Sequence, residues 1–253
     1  MVEKPLVLSI AGLDPSGGAG VLADVRTIAA FDCAAAAAIT SITFQNDEAV
    51  LGAEHLSPKT VRQQILAVAA SKKIRAVKTG MLPTEAIVRE VTALCREKVL
   101  PPPILDPVMT SSSGYSLMDE AALVAFVNDL VPRSLLVTPN IPEAERLIDK
   151  RIHDVEGMKR AARVIRDFGP RAVLIKGGHL AAAAKSGEAV DVLLDEEGHF
   201  ELFTGEWTTR ASVRGTGCML ASAIAACIAK GKSLKQSVAE AKQFVAGIIE
   251  KSR

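Results

Sequence analysis

Arg214, Gly215, Thr216, Gly217 and Cys218 stand immediately before the apolar run MLASAIAACIA. Small residues there free several backbone N–H groups where a helix begins, and the positive end of the helix dipole adds to them. Such a loop can hold an anion or a developing negative charge. A thiol at its end feels the same field, which predicts a Cys218 pKa below the free value of about 8.5. Cys218 is thereby a candidate base. A plain turn into a buried helix, with Cys218 as a small core residue, also fits the pentapeptide.

Other chemistry-bearing residues fall at regular intervals upstream. Gly12 to Gly20 (GLDPSGGAG) leads into a segment carrying Asp24; Gln45-Asn46, Lys78-Thr79-Gly80-Met81 and Asp106-Pro107-Val108-Met109 follow. Asn140 with Glu143, and Lys176 with two glycines, complete the series. The glycine loops lack the GxGxxG and GxxxxGK[ST] spacings of dinucleotide and Walker-type sites. Asp106 and Glu143 suit a Mg²⁺ ion held largely through water, though each alone could be a cap or a surface carboxylate. Lys176 can reach a phosphate oxygen as a point charge, or be a solvated loop lysine.

The elements that must position these groups are legible from periodicity. LVLSIA, AITSITF, AVKTG, PILDP, LLVTPN and AVLIKGG are nearly all-apolar runs, as expected of parallel strands covered on both faces. Helical periods lie between them at roughly 20–31, 58–70, 84–98, 119–130, 142–149 and 154–167. Repeated βα units with right-handed crossovers predict a three-layer α/β/α sandwich with a mostly parallel central sheet. Residues 189–204 alternate around Glu197-Gly198 and predict an antiparallel edge hairpin. Helices over about 216–229 and 234–250 close the fold. The alanine run 34–38 precedes a strand and reads as tight packing against the sheet, and Ala181 to Ala184 as a loop. Each polar group above then falls at the carboxyl end of a strand, where doubly wound sheets bind ligands.

Composition narrows the ligand. The 253 residues suffice for one large domain or two smaller ones, and no linker suggests a split. Lys and Arg number 30 against 29 acidic residues, with no basic run carrying aromatics, so no nucleic-acid or anionic membrane partner is expected. Cys33, Cys95, Cys218 and Cys227 show no CxxC or zinc-like spacing, which predicts reduced thiols and a cytoplasmic setting. The apolar run in MVEKPLVLSIAG is too short for a signal peptide, and no stretch long enough to span a membrane occurs. A soluble protein acting on a small molecule is the expectation.

In this order and over residues 8 to 225, GxDPSGGAG with AD four residues on, QN, KTGM, LDPVM, TPNxxEA, KGGH and GTGC resemble the bacterial hydroxymethylpyrimidine/phosphomethylpyrimidine kinases of thiamine biosynthesis, in the ribokinase-like superfamily. The resemblance implies a single ribokinase-like domain over 1–253. It also implies ATP- and Mg²⁺-dependent phosphorylation of 4-amino-5-hydroxymethyl-2-methylpyrimidine and then of its monophosphate. By the same similarity Gln45 hydrogen-bonds the aminopyrimidine edge; Gly12, Ala19, Met81 and Val108 wall the ring; and Asp24, grouped with them, supports the pocket. Cys218 accepts the hydroxyl proton, and the N–H groups of Gly215 to Cys218 stabilise the transferring phosphoryl. Lys176 bridges phosphate oxygens, Asn140, Thr216 and Arg214 lie on the ATP side, and Asp106 and Glu143 organise the metal. The family's frequent dimers make a homodimer an expectation. A pyridoxal or pyridoxine kinase of the same fold is the nearest alternative, and a non-catalytic pyrimidine-binding regulator a further one.

Two departures from the family pattern bear on the second phosphorylation. Arg214 stands where the family commonly has His, and the loop after Met109 reads TSSSGYSL where a phosphate-contacting charge is usual. The expectation is that Arg214 supplies the extra positive charge that the monophosphate acceptor needs.

Overall fold

The computed structural model describes residues 3–178, 180, 187–206 and 215–251. Arg214, His179 and Ala181 to Ala184 therefore lie outside the described residues. Among the described residues nine strands form one sheet: β1 (Leu6–Leu13), β2 (Ala34–Gln45), β3 (Val50–His55), β4 (Ile74–Thr79), β5 (Ile104–Leu105), β6 (Leu136–Val137), β7 (Ala172–Ile175), β8 (Glu188–Leu194) and β9 (Phe200–Glu206). Their order is β3-β2-β1-β4-β5-β6-β7-β8-β9. The six strands from β2 to β7 run parallel, while β3 at one edge and β8 and β9 at the other are antiparallel to their neighbours.

Strand alternation sends successive side chains to opposite faces, and both faces are covered. Leu6, Leu8 and Ile10 of β1 pack with α2 (Pro58–Ser71), α3 (Glu85–Arg96) and α4 (Glu120–Ala125). Val7, between them, joins α1 (Gly20–Ala30), α7 (Thr216–Ala229) and α8 (Leu234–Lys251) on the other face. Val173 and Ile175 of β7 pack on α5 (Ile141–Ile148) and α6 (Val155–Asp167), whereas Ala172 and Leu174 face the α7 side. This is the three-layer arrangement expected from the sequence, mostly parallel with antiparallel edges, and the 189–204 hairpin is one of those edges.

Three local features differ from the sequence reading. The alanines at 34–38 do not precede β2 but begin it, paired residue by residue with Leu6 to Ile10. Alanine's weak strand preference is overridden by this pairing and by the closeness its small side chain allows. β3 is an added edge strand, formed because Asn46 closes a short turn: its side-chain oxygen accepts from the N–H groups of Glu48 and Ala49 at 3.0 and 2.9 Å. The helix expected over 119–130 is an α-helix only to Ala125 and continues as a π turn over Phe126–Leu130 and a 3-10 turn over Val131–Arg133.

From β1 the chain goes outward to β2 and β3, then returns to β4 on the other side of β1. That reversal opens a crevice beyond the carboxyl ends of β1 and β4, the usual ligand position in such sheets.

Candidate active site

The loop after β1 is built around the Asp14 carboxylate. Oδ1 accepts from Ser16 N at 2.9 Å and Ser16 Oγ at 2.7 Å, and Oδ2 accepts from Ala19 N at 2.9 Å. Gly20 closes the loop at φ +59°, where a Cβ would strike the carbonyl oxygen of Gly12. Gln45, at the end of β2, donates through Nε2 to Asp14 Oδ2 at 3.3 Å and accepts at Oε1 from Thr43 Oγ1 at 3.1 Å. Thr43 and Asp14 thus fix the orientation of the amide. Met81 packs its sulfur against Gly12, where a Cβ would come within 3.0 Å of it.

Beneath this floor Asp24, on α1, is fully buried. It accepts from Ser9 Oγ at 2.6 Å, Ser222 Oγ at 2.8 Å and the Lys78 ammonium at 2.9 Å to each oxygen. Asp24 therefore does not line the cavity; it holds Lys78, which does. Burial alone would lower the Lys78 pKa, but Asp24, with Cys218 and Asp106, more than offsets it, and the ammonium stays charged.

The opposite side is the phosphate-like end. Lys176, at the end of β7, donates to Asp106 Oδ1 at 2.8 Å, and both are buried or nearly so. Burial opposes ionisation of Asp106, yet Lys176 and Lys78 hold its carboxyl below the usual range, with the Cys218 thiol donating to it as well. Asn140 and Glu143 form a capping box at the start of α5: Asn140 Oδ1 accepts Glu143 N at 2.9 Å, and Glu143 Oε2 accepts Asn140 N at 2.7 Å. Burial raises Glu143 to about 7 against the pull of Lys176, with Asp106 adding to the rise. Gly215, at φ +76°, starts α7, and a Cβ on it would run into the Gly18 carbonyl oxygen, so the two glycine loops meet back to back.

The expectation for Cys218 needs correction. Its thiol is pushed up to about 12, first by burial and then by Asp106 and Asp24, against the pull of Lys78 and Lys176. The helix start supplies a positive field, but removal from water and two carboxylates brought in from other elements outweigh it.

One cavity of about 750 Å³ takes in Gly12, Ala19, Gln45, Met81 and Val108 at one end and Asn140, Glu143, Lys176, Thr216 and Cys218 at the other, with Asp106, Gly215 and Gly217 also in its wall. Thr110, Ser111 and Ser112 line it with hydroxyls only, as the altered loop predicts. Among the described residues no third ligating side chain joins Asp106 and Glu143, so a metal held there would draw its remaining ligands from water and phosphate oxygens. Sequence spacing misses Thr43 and Arg146, which carry no motif signal. For Lys78 the signal is a lysine inside the otherwise apolar strand AVKTG.

A model of the family described as phosphomethylpyrimidine kinase matches residues 14–253. The chain belongs to that family. It is 40% identical to a hydroxymethylpyrimidine/phosphomethylpyrimidine kinase of Streptomyces coelicolor, over 98% of this chain and 90% of that one. A crystal structure of phosphomethylpyrimidine kinase from Clostridium difficile superposes with a TM-score of 0.84 at 37% identity, covering 97% of this chain and all of that one. Pyridoxal kinase from Staphylococcus aureus, in complex with AMP-PCP and pyridoxal, gives a TM-score of 0.84 at 31% identity over 96% of this chain and 87% of that one. The chain spans about half the length of a bifunctional thiamine biosynthesis protein of Geobacter sulfurreducens, at 38% identity. This family and its ribokinase-like fold are those of a phosphotransferase.

Proposed function

We propose that the protein transfers the γ-phosphoryl group of ATP to the hydroxymethyl oxygen of 4-amino-5-hydroxymethyl-2-methylpyrimidine and then to the resulting monophosphate, within one kinase domain. The observation that carries this reading is the shared cavity, with the Asp14- and Thr43-held Gln45 amide at one end and the Lys176, Gly215–Cys218 cradle at the other. An aminopyrimidine edge offers a ring nitrogen acceptor and an exocyclic amine donor, which one amide can satisfy together.

Phosphoryl transfer asks mainly for in-line placement and neutralised charge. Gln45 and the Gly12, Ala19, Met81 and Val108 walls orient the ring so that its hydroxymethyl group faces Cys218. The backbone N–H groups of Gly215 to Cys218 meet charge on the transferring phosphoryl, and Lys176 bridges phosphate oxygens while Asn140 and Thr216 lie along the nucleotide. A thiol at about 12 does not deprotonate the alcohol in advance. Cys218 takes the alcohol proton late, as the new P–O bond acidifies it, while its own S–H proton passes to the ionised Asp106 carboxylate, so the thiol relays one proton and stays neutral.

Mg²⁺ is the cofactor this reading requires, and Asp106 and Glu143 would hold it. Glu143 fits the role because a buried carboxyl raised to about 7 gains most from an added cation. When bound, the ion supplies charge neutralisation on the triphosphate. Among the described residues no helix is long and apolar enough to cross a membrane. Four unpaired cysteines agree with a cytoplasmic setting, and a homodimer is the assembly the family resemblance suggests.

Likeness to a pyridoxal-bound kinase supports pyridoxal as a second acceptor. The test is incubation with Mg-ATP and the pyrimidine, pyridoxal and pyridoxine side by side, resolving mono- from diphosphate. Pyrimidine diphosphate is the expected product, and a protein that phosphorylates only pyridoxal refutes the main reading.

A further inference from the structure

The two acceptors in the proposed sequence differ by one group: the second already carries a phosphate, a dianion that must enter the cavity beside the donor's own phosphates. Repulsion between them has to be offset by positive charge. Among the described residues the cations in the cavity wall are Lys78, Lys176 and Arg146. Lys78 is committed to Asp24 through both carboxylate oxygens and is fully buried. Lys176, paired with the buried Asp106, is already taken up by the donor's phosphates in the proposed reaction.

Arg146 differs from both. It lies three residues after Glu143 on α5, hence on the same helix face and one turn from the proposed metal corner. Its guanidinium pairs with Glu120, whose side chain is 83% exposed and forms no part of the cavity wall. Exposed ion pairs of this kind hold weakly, because water competes for both partners. A phosphate dianion offers the guanidinium a bidentate partner of higher charge. The hydroxyls of Thr110, Ser111 and Ser112 line the same cavity and can donate to the remaining oxygens.

We infer that Arg146 is the residue that recognises the phosphate of the monophosphate acceptor, leaving Glu120 to do so, and that it sets the balance between the first and second phosphorylations. The inference rests on the proposed two-step reaction. It supplies within the described fold the cation that the uncharged TSSSGYSL loop lacks.

The experiment compares wild type, Arg146→Gln, Arg146→Lys and Glu120→Gln in two assays. One is kcat/KM for the pyrimidine and for its monophosphate, with the KM for Mg-ATP followed in parallel. The other is direct calorimetric binding of the monophosphate without nucleotide. Arg146→Gln is expected to lower kcat/KM for the monophosphate at least tenfold and that for the pyrimidine no more than about threefold, with the KM for Mg-ATP steady. It also weakens monophosphate binding at least tenfold, Arg146→Lys recovers part of the loss, and Glu120→Gln binds the monophosphate as well as wild type or better. Equal losses with both acceptors, a raised KM for Mg-ATP as the main effect, or unchanged monophosphate binding overturn the assignment. A wild-type protein that makes no diphosphate refutes the second step of the proposed function, and the binding assay still decides the role of Arg146.

Discussion

Asp24 accepts from the Lys78 ammonium through both carboxylate oxygens at 2.9 Å, and neither side chain has any exposed surface. The pair joins α1 to β4 directly under the cavity, with Ser9 and Ser222 completing the carboxylate's shell. Removing one partner strands a buried charge, so Asp24→Asn is expected to cost about 3–5 kcal/mol of stability. The double change Asp24→Leu with Lys78→Met should cost clearly less, since it leaves no orphaned ion. Urea unfolding of both variants checks this, and a loss below about 1 kcal/mol for the single change contradicts it.

Cys218 is protonated at neutral pH in the free protein, with its thiol raised to about 12. Cys218→Ala should lower turnover by about 10² to 10⁴, the usual worth of a positioned acid–base group, because it cuts the proton relay to Asp106, while ATP affinity holds. Peptide-resolved alkylation should find Cys218 sluggish at pH 7 and no faster than ordinary free thiols. Near-native turnover in the alanine variant removes the thiol from the mechanism.

The contrast between these two sites shows where sequence reasoning reaches and where it stops. That Cys218 opens a helix is local information, and the structure agrees. That the thiol is buried, with Asp24 of α1 and Asp106 just after β5 brought near it, is tertiary placement, and it reverses the sign of the expected pKa shift. The parallel strands were legible because burial on both faces makes them continuous apolar runs. β3, with VLGAEH, carries neither an apolar run nor clean alternation, and only its pairing with β2 makes it a strand. Asn140 and Glu143 form a capping box in the structure and also line the cavity, so a structural role and a functional one coincide.

Glu143 makes a pH prediction with a definite sign. Its folded pKa of about 7 lies above the ordinary 4.5, so its neutral form favours folding; that contribution is full below about 4.5 and is lost as pH rises through about 7. A cation at Asp106 and Glu143 must displace the proton, which makes apparent Mg²⁺ binding about tenfold weaker at pH 6 than at pH 8. Magnesium activation curves across that range test this, with Glu143→Gln expected to abolish the protein's share of the dependence. A pH-independent requirement in the wild type counts against Glu143 as a ligand.

Gln45 is held by Asp14 and Thr43 and lines the cavity. Pyridoxal has no exocyclic amine to meet it. Gln45→Ala should therefore lower kcat/KM for the aminopyrimidine by about 10- to 100-fold and for pyridoxal far less. Thr43→Val, which loosens the amide and also removes the Thr43 hydroxyl's bond to the Leu13 carbonyl, should act in the same direction with a smaller effect. Equal losses for the two acceptors would show that Gln45 does not read the amino group.

Gly215 and Gly18 determine how close the two glycine loops can come. Gly215 sits at φ +76°, and a Cβ there would be driven into the Gly18 carbonyl oxygen, so Gly215→Ala must displace one loop or the other. The backbone strain costs about 1–3 kcal/mol. The larger expected effect is on rate, because displacement moves the N–H groups of Gly217 and Cys218 away from the transferring phosphoryl. Loss of one such donor costs about 10² to 10³ in turnover. Gly215→Ala should thus remain folded by circular dichroism, bind ATP with affinity within about tenfold of wild type, and turn over at least about 10²-fold more slowly. Turnover close to wild type in a folded Gly215→Ala protein would mean that the loop N–H groups do not stabilise the transfer, leaving Lys176 to carry that charge.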